Sequence, residues 1–476
     1  MLFNSLEFAL FLPTVFLLYW LILRRSWRLQ NVLLLGASYL FYGWWDWRFL
    51  LLIIFSTVVD YTIGLRLAAT PNPTTRKGLL ALSLVTNLGL LGLFKYFNFF
   101  IESFVDLFAQ AGIGLNITTL QIILPVGISF YTFQTLSYTL DIYRGKLKPT
   151  SDAVAFFAFV SFFPQLVAGP IERAADLLPQ FEKERRFSYA MAKDGLRQIL
   201  WGIFKKVAIA DLLAIPVNLI FADSSQMSGS VLVLGAIFFA FQIYCDFSGY
   251  SDVAIGVAKL FDFQLSTNFV SPYFAKNIAE FWQRWHITLS TWFRDYVYIP
   301  LGGSRCSKAT HMRNILITFT VSGLWHGANW TFVIWGFLHG LSYLPLILWN
   351  PERFDRYLAH QSPFGRMTGR GLQMGGTFAV VTLGWIFFRA EDLTHALSYL
   401  HHLFSRSLFS LPATDWSIYL VPILFLVTVE WLQRDKRHPL QIDRIPLPVR
   451  WLIYLTLAFW AIASFRQETP FIYFQF

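Results

Sequence analysis

The chain has 476 residues, 55% of them hydrophobic and only 14% charged, with 50 Phe and 18 Trp. That balance excludes an ordinary soluble enzyme and describes a polytopic membrane protein. The formal charge of +10 does not imply nucleic acid, because Lys and Arg sit in short clusters between apolar runs, as the positive-inside rule describes. Two cysteines, Cys245 and Cys306, make neither a disulfide framework nor a zinc cluster.

Taken in chain order, apolar runs long enough to span fall near 6–23, 30–45, 49–68, 79–97, 120–140 and 198–221. Others fall near 231–260, 311–326, 328–348, 373–390, 416–433 and 449–466. The first run has no small-residue cleavage signature after it and reads as a retained span rather than a signal peptide. Ala153–Pro170 carries Pro164, Gly169 and Pro170 between basic flanks, a pattern that fits re-entry better than crossing. Residues 277–300 mix Glu280, Arg284, Arg294 and Asp295 with six aromatics. Such a mix suits an interfacial helix, or a half-buried helix lining a cavity. No long polar stretch could form a second domain, so residues 1–476 are expected to form one membrane-embedded unit.

With the N-terminus outside, the inward loops collect most of the 38 basic residues. Examples are Arg24, Arg25 and Arg28, then Arg66, Arg76 and Lys77, and later Arg434, Lys436 and Arg437. This bias predicts twelve crossings with both termini outside.

Four polar islands interrupt the apolar background. Trp325-His326-Gly327, followed by Asn329, places an imidazole at a turn between two spans. Its first apolar arm is short, which predicts a turn below the outer surface, where the glycine lets a substrate approach the backbone. Ionisable groups at bilayer depth are costly and mark functional sites by default, and histidine exchanges protons near neutrality. An interfacial histidine bonded to a carbonyl is the alternative. Trp285-His286 lies inside the aromatic segment, where, taken alone, a surface or interface histidine with a satisfied ring is the better reading. The stretch Gln242–Asp252, with Asp246, Ser248 and Tyr250, suits either a substrate-lining role or a structural network. Phe162–Arg173 reads as architectural.

Walker, HExxH and GxSxG patterns are absent, and no histidines are spaced as metal ligands. What remains is a buried histidine able to act as general base on a hydroxyl.

At these islands the chain resembles the membrane-bound O-acyltransferase family, and within it the alginate O-acetyltransferase branch. The resembling segments are Phe162–Arg173, Gln242–Gly256, Phe281–Gly303, Val321–Gly340 and the terminal Pro470–Phe476, together with the opening Phe3–Phe8. The resemblance implies an all-α integral membrane fold of about 11–13 membrane-embedded helices, with re-entrant and interfacial helices around a central catalytic tunnel. It implies His326 as the acyl-transfer histidine and His286 as the second polar residue of the active centre. Asp246, Ser248, Tyr250, Trp325 and Asn329 are weaker candidates to line the tunnel. No metal and no permanently bound cofactor are expected.

The donor implied is a cytoplasmic thioester, acetyl-CoA, and the acceptor an exopolysaccharide such as alginate. A periplasmic SGNH-type acetyltransferase is the implied partner, with the aromatic tail Phe471–Phe476 as its contact or as a membrane anchor. The location implied is a bacterial inner membrane. D-alanyl transfer to a cell-wall polymer is the alternative within the family, and a polysaccharide or acyl-donor transporter the alternative outside it.

Overall fold

Each of the apolar runs contains a helix in the computed structural model of the chain. It describes residues 1–115, 117–120, 122–349, 352–412, 414–466 and 471–472. Among the described residues, six helical runs are long and apolar enough to cross a membrane, including Trp27–Ala69, Gly229–Leu260 and Trp330–Leu348. The chain is therefore an all-α, multi-pass membrane protein. Its residues divide into two compact units, 1–199 with 250–266, and 200–249 with 267–476.

The first unit opens with α1 (Leu6–Leu17), α2 (Trp27–Asp46) and α3 (Leu50–Ala69). Asp46 is extended (φ −158°, ψ 109°) and accepts from the Arg48 amide, so α2 and α3 are separate helices. Next come α4 (Pro73–Leu91), α5 (Phe97–Gln110) and α6 (Ile128–Tyr143). The expected run at 120–140 becomes helical only at Ile128. Pro125 precedes that start, and Gly127 sits at φ +77°, a left-handed position that glycine takes without strain.

Asp60 on α3 is fully buried and accepts from Ser83 Oγ (2.6 Å) and Asn87 Nδ2 (2.8 Å) on α4. Buried polar groups need such partners, and this network joins the two helices. After α7 (Ala153–Ser161) the backbone leaves helical geometry over Phe162–Ile171, every residue of which is buried. Irregular backbone is tolerated at membrane depth only when protein surrounds it. α8 (Ala174–Phe181) follows.

α9 (Tyr189–Phe204) leads into the second unit. A widened π-type turn, Lys205–Ala210, connects it to α10 (Asp211–Ala222). α11 (Gly229–Leu260) starts in the second unit and ends in the first. Residues 277–300 do not form one interfacial helix. They give two short helices, α12 (Ile278–Arg284) and α13 (Ile287–Phe293), broken at Trp285-His286. Their aromatics Phe281, Trp282, Trp285, Trp292 and Phe293 are buried, so the segment packs inside the unit.

α14 (Lys308–His326) and α15 (Trp330–Leu348) form a hairpin whose arms both have 19 residues. The first arm is therefore not short; its opening turns are polar, and packing buries His326. At Gly323 and Gly336 the arms touch backbone to backbone. A Cβ on Gly336 would lie 2.3 Å from the Phe319 carbonyl oxygen, closer than any side chain permits. α16 (Glu352–Ala359), α17 (Pro363–Arg389), α18 (Leu393–Leu403), α19 (Ser417–Leu432) and α20 (Leu447–Ser464) complete the unit.

Candidate active site

His326 is the last residue of α14 and is only 3% exposed. Its ring meets Trp325 and Trp335 edge-on, each at 5.0 Å between centroids, and Phe388 at 5.4 Å. The imidazole thus sits in an aromatic box built from the hairpin and the end of α17. Such a box excludes water and lowers the local dielectric, which strengthens any charge interaction that develops inside it.

His286 lies between α12 and α13, a segment too short to span, and is fully buried. Its backbone is left-handed (φ +42°, ψ +55°), a strained state for a non-glycine residue that costs about 1–3 kcal/mol. Neighbouring bonds hold it there. The Ile287 amide donates to the Asn268 carbonyl (3.0 Å) and the Val270 amide to the Arg284 carbonyl (3.0 Å).

The ring orientation of His286 is fixed as well. Nδ1 lies 3.0 Å from Asn268 Oδ1, which also accepts from the Thr288 hydroxyl (3.0 Å) and faces the Thr288 amide (3.4 Å). An atom facing a backbone N–H must be the amide oxygen, so Nδ1 carries the hydrogen and Nε2 the lone pair. Burial pushes the imidazole pKa down to about 3, and the ring is neutral at neutral pH. His286 and His326 flank a single indole: Trp325 is 6.1 Å from the first and 5.0 Å from the second.

The membrane-bound O-acyltransferase profile matches residues 148–349, which include both histidines. A protein of Pseudomonas aeruginosa described as "Probable alginate O-acetylase AlgI" is 41% identical over 98% of this chain and 83% of its own length. A protein of Azotobacter vinelandii with the same description is 43% identical over 88% of this chain and 79% of its own. This chain belongs to the membrane-bound O-acyltransferase family. A further relative, the "Peptidoglycan O-acetyltransferase" of Helicobacter pylori, is 36% identical over 84% of this chain and 79% of its own. The activity of the chain is O-acyl transfer.

Around the cluster of His286, Trp325 and His326, the other expected residues divide. Trp325 belongs to it by contact with both histidines. The Asn329 side chain caps α15, accepting from the Thr331 amide (2.9 Å), and donates to the Glu391 carbonyl (2.8 Å). Gly327 lets the Phe332 ring pack against the turn, since a Cβ there would lie 2.1 Å from that ring.

Asp246 is committed to structure. Oδ1 pairs with Lys206 Nζ at 2.6 Å and Oδ2 accepts from the Ile472 amide at 2.6 Å. Ser248 accepts from Lys205 Nζ (2.8 Å). Tyr250 belongs to the first unit, where its ring packs on Phe3 at 4.5 Å.

Phe471, expected at an outer contact, is 2% exposed and packs on Phe247, whose ring also meets His286 edge-on at 4.7 Å. Tyr473, Phe474 and Phe476 lie outside the described residues. Two residues of the site escaped the sequence reading. Asn268 sits in an unpatterned loop with no signal of its role. Trp335, by contrast, lies four residues from a second intramembrane histidine, His339, a signal as plain as that of His326.

Proposed function

We propose that the chain O-acetylates an exopolysaccharide such as alginate in a bacterial inner membrane, taking acetyl from cytoplasmic acetyl-CoA. The observation that carries this reading is the pairing of His286 and His326 on either side of Trp325 in a water-excluding aromatic box. The alginate acetylases support the polymer class, since they match more of the chain at higher identity than the peptidoglycan enzyme does. The basic inward loops support a cytoplasmic donor and termini on the periplasmic side.

In this reading an acceptor hydroxyl gives its proton to a ring nitrogen of His326 while its oxygen attacks the acetyl carbonyl carbon. The tetrahedral adduct collapses, the carbon–sulfur bond breaks, and the leaving thiolate takes the proton back from the imidazolium. Atoms and charge balance, and His326 returns to its starting state. His286, held by Asn268, orients or assists the reacting group through Nε2. The acceptor is a polymer hydroxyl or a serine of a periplasmic SGNH-type acetyltransferase.

The test is reconstitution in sealed vesicles with acetyl-labelled acetyl-CoA on one face and alginate, with or without the SGNH partner, on the other. Label appearing as O-acetyl ester on the far side is the expected result. Label that stays with the donor in every arrangement would overturn the reading. Asn268→Leu is expected to cost roughly tenfold to hundredfold in turnover, because it removes the acceptor that aligns His286 Nδ1. Unchanged turnover in that variant would return His286 to a packing role.

A further inference from the structure

Arg389 is the last residue of α17, a helix of 27 residues that rises about 40 Å and so crosses a bilayer. With basic loops inside, Arg366 and Arg370 mark its inner end and Arg389 stands at the outer one. The inward loops collect most of the basic residues. A cation at an outer helix end therefore needs a reason of its own.

The chain on either side of Arg389 is fixed against the reacting centre. Phe388, just before it, packs on His326 at 5.4 Å and on Phe332 at 4.8 Å. Two residues after it, the Glu391 carbonyl receives the Asn329 side chain (2.8 Å), which ties the end of α17 to the turn that follows His326. The Arg389 side chain itself is held by α10. Nη2 donates to Asn218 Oδ1 (2.9 Å), and Cζ lies 5.5 Å from the centre of the Phe221 ring.

This clamp sets the plane of a guanidinium on a half-buried residue that water still reaches. Most of its N–H fork has no acceptor, and no carboxylate pairs with it, among the described residues. Glu391 attracts it through space without forming an ion pair. Asp392 is engaged at the start of α18, where it accepts from the His395 amide (2.7 Å). A planar fork held open in this way suits a carboxylate, which Arg binds through two parallel N–H bonds.

We propose that Arg389 determines acceptor specificity: its guanidinium takes the carboxylate of a uronate sugar, so that the centre prefers a polyuronate to a neutral glycan. The inference rests on the polymer-hydroxyl form of the function proposed above. Each sugar of a polyuronate carries one carboxylate beside its ring hydroxyls, so a chain gripped at Arg389 brings hydroxyls to the His326 end of the site. Arg389 positions the polymer and takes no part in the bonds that form and break. The acidic neighbours Glu391 and Asp392 keep this rim from acting as a general trap for polyanions. Selection rests on the fork rather than on bulk charge.

The test uses the full-length protein reconstituted with acetyl-CoA and two acceptors of equal length. One is alginate oligosaccharide, and the other is the same oligosaccharide with its carboxylates converted to primary amides, which keeps every hydroxyl and removes the charge. Wild type is expected to favour the acid form by roughly tenfold to hundredfold in kcat/KM, the scale of one charge-assisted contact. Because the ratio is taken within one protein, loss of folded enzyme cancels from it. Arg389→Gln should bring the ratio toward one, chiefly through KM, and Arg389→Lys, which keeps the charge without the fork, should restore only part of it. Asn218→Ala frees the fork from its clamp and gives an independent reading, with a smaller narrowing expected. Added salt should erode the wild-type preference and leave that of Arg389→Gln flat. An unchanged ratio in Arg389→Gln, or no preference in wild type, would overturn the role of Arg389 while leaving polymer acetylation standing. Acetylation of either acceptor only when the SGNH partner is added would also overturn it and leave the partner-serine form of the function. Wild type that acetylates neither acceptor, with or without the partner, would overturn the proposed function itself.

Discussion

His326→Ala is expected to lower polymer O-acetylation by about 10²–10⁴-fold, the range that general-base catalysis supplies, while protein accumulates to its usual level. Two opposing effects set that expectation. Truncation leaves a small void among Trp325, Trp335 and Phe388, which costs some stability. It also removes a polar ring from an aromatic box, which offsets part of that cost. Function should therefore fall far more than folding does. O-acetyl content measured by mass spectrometry, at matched membrane protein levels, separates the two. Wild-type acetylation in the variant would sink the assignment of His326 as base. Acid quench of wild-type protein incubated with acetyl-CoA alone separates base from covalent carrier: an acetylated His326 peptide would favour the transient acyl-imidazole, and its absence the base.

Much of this architecture is legible in the sequence because a membrane simplifies the problem. Backbone groups in lipid must be satisfied internally, so an apolar run has little choice but to be a helix, and the runs lie where helices form. What hydropathy cannot supply is termination and tertiary partnership. The helix that starts at Ile128 was expected several residues earlier, because Pro125 and Gly127 outrank apolarity there. Asn329 obeys a local rule legible in the sequence, an amide just before an apolar run caps a helix, and it caps α15.

Asn268 and His286 illustrate the opposite limit. They are 18 positions apart, and a left-handed histidine held by a loop asparagine follows from no periodicity. Trp335 and His339 fall between these cases. The cost of burying an imidazole applies to His339 as it does to His326, and the difference lay in motif company, not in physics.

Asp246→Ala is expected to destabilise the second unit by about 3 kcal/mol, read as a thermal midpoint lower by roughly 5–10 °C in detergent. The carboxylate is almost fully buried, pairs with Lys206 at 2.6 Å and receives the Ile472 amide at 2.6 Å. Removing one partner of a buried ion pair costs about 3–5 kcal/mol because the other charge stays behind. Here Lys206 retains Asp211 at 2.9 Å, which places the loss at the lower end. The widened turn at Lys205–Ala210 carries two consecutive lysines that reach the same helix, Lys205 to Ser248 and Lys206 to Asp246. Asp246→Asn loses the ion pair but keeps an oxygen for Ile472. It should therefore lower the midpoint yet leave the Ile472 amide protected from hydrogen exchange, whereas Asp246→Ala should expose it. If exchange at Ile472 is the same in wild type and Asp246→Ala, the carboxylate does not anchor the tail, and the burial of Phe471 beside Phe247 must do so alone.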